Sequence, residues 1–254
     1  MKPLLPIPSA NAELRKQLLE YFLEVSTAQE LGAWLRDINQ ETKGTREEKQ
    51  ERLRQNTKYL SMPPETFPDQ TMNYLAPLGS EHLADICEDL GLSPEGSRAI
   101  RYRRIMREVH FREGWLVRPS KNSEWCVDLV EPFIRMYPLI KRGQYERDFY
   151  GALEEELVDV FGAPSVHSQL AIAHGTTLKI DFHIGPASGS GVGIEVKMPA
   201  NNSDLQKAIG QLDQYRELYG ANLILLLLPD FITEAQKQLF LATTASRGIV
   251  TVER

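Results

Sequence analysis

The stretch that most restricts the fold is Lys179-Ile180-Asp181-Phe182-His183-Ile184, followed after a glycine-rich segment by Gly193-Ile194-Glu195-Val196-Lys197-Met198. Both runs alternate apolar and polar residues, the two-residue period of a strand whose side chains point to opposite faces. Ile180, Phe182 and Ile184 then share one face, and Asp181 and His183 the other. Ile194, Val196 and Met198 likewise oppose Glu195 and Lys197. Paired as a hairpin, the runs share an apolar core face and gather Asp181, Glu195 and Lys197 on the opposite one. The segment 185–193 lacks the Gly-Lys-Ser/Thr ending that a phosphate-cradling loop carries before a helix, so it reads as a hairpin connection.

The surrounding pattern supplies the rest of an α/β domain. Residues 144–161 read as one helix with Tyr145, Phe149, Leu153, Leu157 and Val160 as its stripe, ended by Gly162-Ala163-Pro164. Strands are expected at 166–173, 177–184 and 192–198. A helix at 204–219, a strand at 222–228, a helix at 233–245 and a strand at 248–252 follow. The order α-β-β-β-α-β-α-β defines a mixed sheet flanked by helices. The upstream half reads as all-helical. Ser9 is a plausible N-cap for a helix with Leu14, Leu18, Leu19 and Phe22 at helical spacing. Further helices are expected around Leu31, Trp34, Leu35 and Ile38, and on through Leu53. More follow at 81–90, stopping at Gly91, and at 97–110. Pro119, Pro132 and Pro138 break any long element between 114 and 143. The chain then divides into a helical region (1–62), a proline-rich linker (63–73), a second helical module with its connection (74–142) and the α/β domain (143–254). No strict fixed-period repeat is evident. Segments 31–55 and 83–107 nevertheless share a plan of short helix, glycine-containing loop and basic helix.

Composition narrows the class. Cys87 and Cys126 are too few for a disulfide framework or a zinc site, which implies reduced thiols. The longest apolar run, 223–228, is far short of a membrane span, and the first residues do not form a signal peptide; a cytoplasmic location is expected. The formal net charge of −6 argues at first against a nucleic-acid partner. Residues 144–254 hold 8 basic and 14 acidic residues, however, whereas residues 1–143 hold 21 of each. The neutral half contains a segment, 98–121, with eight basic residues against two acidic ones, a one-sided excess that suits phosphate contact. No base-reading motif is evident, so backbone or structure recognition is expected over a long sequence readout.

Two carboxylates at Asp181 and Glu195 are hard-oxygen ligands of the kind Mg²⁺ or Mn²⁺ takes. A lysine two residues after the second could orient an attacking water or neutralise charge on a phosphoryl transition state. This D-x13-E-x-K arrangement resembles the PD-(D/E)xK nuclease superfamily, the restriction-endonuclease-like fold that includes Holliday junction resolvases, over roughly residues 143–254. Ile180 stands where the proline of that motif would be. The resemblance implies that Asp181 and Glu195 are metal ligands and Lys197 the catalytic lysine. Gly143-Gln144-Tyr145-Glu146-Arg147-Asp148-Phe149 is similar to the first-helix signature of the resolvase branch, making Glu146 the third acid, with Glu154 as the competing choice. Gln211 and Tyr215, one helical turn apart, resemble the family's Q-x3-Y element; Gln211 would support the site. His183 and Tyr215 are possible outer contacts, and His167 and Ser168 weaker ones.

Glu88-Asp89-Leu90-Gly91-Leu92-Ser93-Pro94-Glu95-Gly96-Ser97-Arg98 looks like a SAP motif, a helix–loop–helix that binds DNA, and residues 44–53 resemble its second half. The resemblance implies DNA contacts from Arg98, Arg101, Arg104 and Arg107, and from Lys43, Arg46 and Lys49. Together these features imply a Mg²⁺- or Mn²⁺-dependent DNA endonuclease with SAP-like modules holding DNA, with no membrane association and a possible homodimer. A catalytically silent DNA-binding scaffold of the same fold, or an RNA-processing nuclease, are the alternatives.

Overall fold

The computed structural model describes residues 13–56, 60, 70–120, 123–136, 145–172 and 178–254. Ser9, Gly143, Gln144 and the proline-rich stretch 61–68 lie outside the described residues. The chain forms two compact units, Met1–Val117 and Arg118–Arg254. Among the described residues, no helix is long and apolar enough to cross a membrane.

In the first unit α1 (Glu13–Val25) buries Leu14, Leu18, Leu19, Phe22 and Leu23, the stripe its spacing requires. Then come α2 (Ala28–Asp37), α3 (Arg46–Gln55), a 3₁₀ turn (Gln70–Leu75), α4 (Ser80–Asp89) and α5 (Arg98–Arg112). The 3₁₀ turn overlaps the expected linker, yet it buries Met72, Tyr74 and Leu75. The Tyr74 ring packs against Phe22 and Trp34, so the end of the linker is core. Arg15 is fully buried. Its guanidinium forms a two-pronged pair with Glu113, both bonds 2.7 Å, and also donates to the Thr71 hydroxyl. A buried charge is tolerated only when paired and hydrogen-bonded in this way.

The shared plan of 31–55 and 83–107 is stricter than the sequence suggests. Offsetting residue numbers by 52 maps α2 onto α4 and the start of α3 onto that of α5. It also maps bond onto bond. Arg46 Nε donates to the Ser26 carbonyl and Arg98 Nε to that of Leu78, both at 2.9 Å. Lys49 Nζ donates to the Ala28 carbonyl and Arg101 to that of Ser80, again both at 2.9 Å. Arg52 spans the Glu41 and Lys43 carbonyls as Arg104 spans those of Ser93 and Glu95. Positive-φ residues stand at Asn39 and Gly91 and again at Gly44 and Gly96; each of these glycines precedes an N-cap, Thr45 or Ser97. The first unit is therefore a tandem repeat that period-seeking misses: the residues in common are few, and what repeats is a set of cation-to-carbonyl clamps.

The second unit begins with α6 (Val127–Met136), which packs against the sheet and sets the boundary at 117/118, ahead of the expected 142/143. Pro132 sits inside α6. Its missing N–H costs one helical bond. Burial of Leu129, Val130, Phe133 and Ile134 holds the helix across it, so the expected break does not occur. The helix expected at 144–161 is divided into a 3₁₀ turn (Glu146–Asp148) and α7 (Tyr150–Phe161). There follow β1 (Val166–Ala171), β2 (Lys179–Ile184), β3 (Val192–Lys197), α8 (Asn202–Tyr219), β4 (Leu223–Leu227), α9 (Glu234–Ser246) and β5 (Val250–Glu253). The sheet runs β1-β2-β3-β4-β5, antiparallel through β3 and parallel from β3 to β5. Leu223, Leu225 and Leu227 pack with Leu205, Ala208, Leu212, Tyr215 and Phe240 of α8 and α9. Ile224 and Leu226, pointing the other way, are equally buried, and α6 lies against β4 and β5.

Replacing Arg52 or Arg104 with alanine removes the clamp on its loop. Each substitution is expected to destabilise the first unit by about 1 kcal/mol. Denaturant titration of the full chain checks this, and equal losses at the two repeat positions are the signature.

Candidate functional site

β2 and β3 pair only from Phe182↔Ile194 to Ile184↔Val192. The next residues along, Asp181 and Glu195, stand where the ladder opens. The Asp181 side chain replaces the missing ladder acceptor: its Oδ2 accepts the Val196 N–H at 2.8 Å. Its Oδ1 accepts the Tyr150 hydroxyl at 2.7 Å and the Gln169 amide at 2.8 Å. Glu195 is 1% exposed; its Oε1 lies 2.5 Å from Lys197 Nζ, while its Oε2 is buried with no hydrogen-bond partner. Glu146, at the start of the 3₁₀ turn, accepts the Met198 N–H at 3.2 Å and the Tyr150 hydroxyl at 3.1 Å, with Lys197 Nζ 3.7 Å away. The structure thus gathers four of the expected residues, Glu146, Asp181, Glu195 and Lys197. The carboxylate side of the hairpin is buried, because both faces of β2 and β3 are covered.

Electrostatics follow from that burial. Loss of hydration pushes the Glu195 carboxyl up to about 8, against the pull of the Lys197 ammonium. Lys197 feels the same loss of hydration, but the carboxylates of Glu195, Glu146 and Asp181 outweigh it and hold its proton more firmly than usual. Burial, then the Asp181 and Glu146 carboxylates, keep the Tyr150 phenol protonated.

Tyr150 and Gln169 are absent from the expected site. Tyr150 reads in sequence as a helix residue beside the stripe, and only the 3₁₀ break turns its hydroxyl between two acids. Gln169 stands in β1 at a position where the sequence offers no signal. Gln211, by contrast, donates to the Tyr215 hydroxyl, which in turn donates to the Lys179 carbonyl at 2.5 Å. The pair ties α8 to the start of β2, and no hydrogen bond links Gln211 to a carboxylate of the cluster among the described residues. His183 lies further along β2. Its Nε2 meets the Pro186 carbonyl at 3.1 Å, which requires the proton there, so its Nδ1 accepts the Tyr219 hydroxyl at 3.0 Å. Burial lowers its pKa and keeps it neutral. It anchors the hairpin connection, where a side chain at Gly191 would collide with the ring. Ser168 bonds Glu154 at 2.8 Å, an outer pair apart from the three acids. His167 Nε2 meets the Gly185 carbonyl at 3.0 Å.

Beside the cluster opens a cleft of ≈ 810 Å³ lined by Tyr145, Glu146, Arg147, Tyr150, Met198, Ala200 and Phe231. Tyr145 and Phe231 are exposed there, and the Arg147 guanidinium lies over the Tyr145 ring. In the first unit the residues expected on DNA are largely engaged. Arg46, Lys49, Arg98, Arg101 and Arg104 form the clamps described above, and Arg107 is buried at 6% exposure. Lys43 is exposed on its loop.

Among the described residues, no group of three or more His, Cys, Asp or Glu side chains is placed so that it could hold a metal ion. At this cluster the Tyr150 hydroxyl lies between two carboxylates and the Lys197 ammonium between Glu195 and Glu146. The donor type is nevertheless one a divalent cation takes: hard carboxylate oxygens, that of Glu195 Oε2 buried and lacking a partner. No protein-family model, no curated protein and no solved structure matches this chain.

The raised Glu195 pKa links folding to pH. The folded state holds a proton that the unfolded chain releases near the ordinary carboxylate value of 4.5. That contribution is complete below 4.5 and is lost as pH rises through about 8. Thermal unfolding of the second unit should therefore shift downward across this window in wild type. The Glu195→Gln variant should show a flatter dependence.

Proposed function

We propose that the chain is a metal-dependent DNA endonuclease of the PD-(D/E)xK type, its second unit a restriction-endonuclease-like fold. The observation that carries this reading is the buried Glu195 oxygen without a partner, two residues from Lys197 and next to Asp181 where the strands part. Leaving a buried acceptor unsatisfied costs about 1–3 kcal/mol, a cost that a cation at this oxygen would relieve. Asp181 and Glu195, with Glu146, are the residues that would hold Mg²⁺ or Mn²⁺. Such an ion, when bound, polarises a phosphate oxygen and acidifies a water. Lys197, kept protonated by its acidic neighbours, would hold the attacking water and balance charge at phosphorus. Tyr150 would keep Glu146 and Asp181 in register, and the cleft with Tyr145, Arg147 and Phe231 gives nucleic acid a route to them. The clamps of the first unit keep their positive charge, so α3 and α5 supply potential for a phosphate backbone. This is charge attraction without base readout.

The test is nicking of supercoiled plasmid in Mg²⁺ by wild type, Asp181→Ala and Lys197→Ala. Each variant should lose at least ~100-fold in rate. Nicking by both at the wild-type rate refutes the site. Binding of DNA by wild type without cleavage in any divalent metal favours a silent scaffold, and preferential cutting of RNA favours a processing role.

A further inference from the structure

Gln169 carries a backbone anomaly whose position is informative. It is in the left-handed region, φ 50°, one of two non-glycine residues there among those described. The other, Asn39, is of a type that tolerates this region. Glutamine inside a strand does not gain from it, and such conformations persist only where the surroundings enforce them. The β1–β2 register locates the distortion. Ser168 pairs with Phe182 and Leu170 with Ile180. No residue is inserted between them, so Gln169 faces Asp181. At that single step the ladder pairing is not made, and the side-chain amide instead donates to Asp181 Oδ1 at 2.8 Å. The strain and the bond coincide at one residue. Of the three donors to Asp181, the Val196 N–H belongs to β3 and the Tyr150 hydroxyl is shared with Glu146. The Gln169 amide is the one side-chain donor given to Asp181 alone among the bonds of the cluster.

We propose that Gln169 is a positioning residue: its left-handed backbone aims the amide at Asp181, fixing the carboxylate orientation that divalent-ion binding requires. The inference rests on the reading of Asp181 as a ligand. Asp181 Oδ2 is turned toward β3 by the Val196 N–H; the amide fixes the other oxygen, so the carboxylate cannot rotate away from Glu195. Hydrogen-bond partners of ligating carboxylates act on metal affinity in this way.

Two substitutions separate aim from fold. Gln169→Gly and Gln169→Ala both remove the amide. Glycine accepts the left-handed backbone freely and alanine does not. In the full chain, the second unit of Gln169→Gly should melt roughly 2–6 °C above that of Gln169→Ala. Both variants should nevertheless lose Mn²⁺ affinity to the same extent, at least ~10-fold, by calorimetric titration. Wild-type Mn²⁺ affinity in both variants overturns the proposal. So does affinity that follows melting temperature, recovered in the glycine variant and lost in the alanine one, since that is the mark of a merely structural role. Equal melting of the two variants removes the strain and overturns it too. Wild type that takes up no Mn²⁺ at millimolar concentration instead refutes the metal-nuclease reading, and the positioning role with it.

Discussion

The second unit turns on one substitution of partners: where β2 leaves β3, a side-chain carboxylate takes the ladder position that a backbone carbonyl would fill. Asp181 Oδ2 accepting the Val196 N–H lets the strands part without orphaning that amide. Because the N–H belongs to the residue between Glu195 and Lys197, the same bond sets their side chains beside Asp181. Parting of the strands makes room for charge, and the charge satisfies the parted strand. An apolar residue at 181 would leave the buried Val196 amide unpaired and the two other donors, Tyr150 and Gln169, without this acceptor, so fold and site share this residue as a common support.

In the first unit charge has a different use. Basic residues three apart on α3 and on α5 suggest a face for phosphate, yet the side chains turn back to carbonyls of their own module, at the start of the preceding helix and, for Arg52 and Arg104, in the loop between. An eight-residue loop between two helices leaves several carbonyls without helical partners. A guanidinium with five donors is suited to collecting them. The positive excess at 98–121 thus reflects in part the closing of the second of these loops. The repeat at an offset of 52 residues is written in those clamps, with Lys49 and Arg101 filling one role, as do Asn39 and Gly91 at the left-handed loop position.

The strand alternation, the helices α8 and α9, and the juxtaposition of Asp181, Glu195 and Lys197 were legible in the sequence, because each depends on periodicity or on residues within one element. What was not legible depends on tertiary competition. Pro132 reads as a breaker, and only the sheet beneath α6 holds the helix across it. Residues 144–161 read as one helix, and the bonds of Glu146 to Met198 and to Tyr150 interrupt it. Gln169 could not be found, since nothing in its neighbours signals a left-handed strand residue. Gln211 and Tyr215 sit on the expected helix face, but a bond to the Lys179 carbonyl directs them to the frame of β2. A face is readable from spacing, whereas the partner a polar group selects on that face is not.

Several departures from ordinary packing meet at Asp181. The sheet is regular along β3, β4 and β5, with register unbroken from Gly193 to Lys197 and from Leu223 to Leu227. Around Asp181, within a few residues on three elements, stand a left-handed glutamine, a buried carboxylate oxygen without a partner, a tyrosine shared by two acids and a carboxyl pushed up to about 8. Each lowers stability taken alone, and buried polar atoms without a hydrogen-bond partner also stand elsewhere, at Ser26 and Arg254, but singly. Their convergence on one end of one strand pair means the surrounding structure is arranged to sustain them together. A site that needed only structural charge would satisfy Glu195 fully with Lys197 and relax Gln169 into the strand. Under the proposed metal-nuclease reading, both departures would leave an acceptor and an aligned carboxylate for a divalent cation.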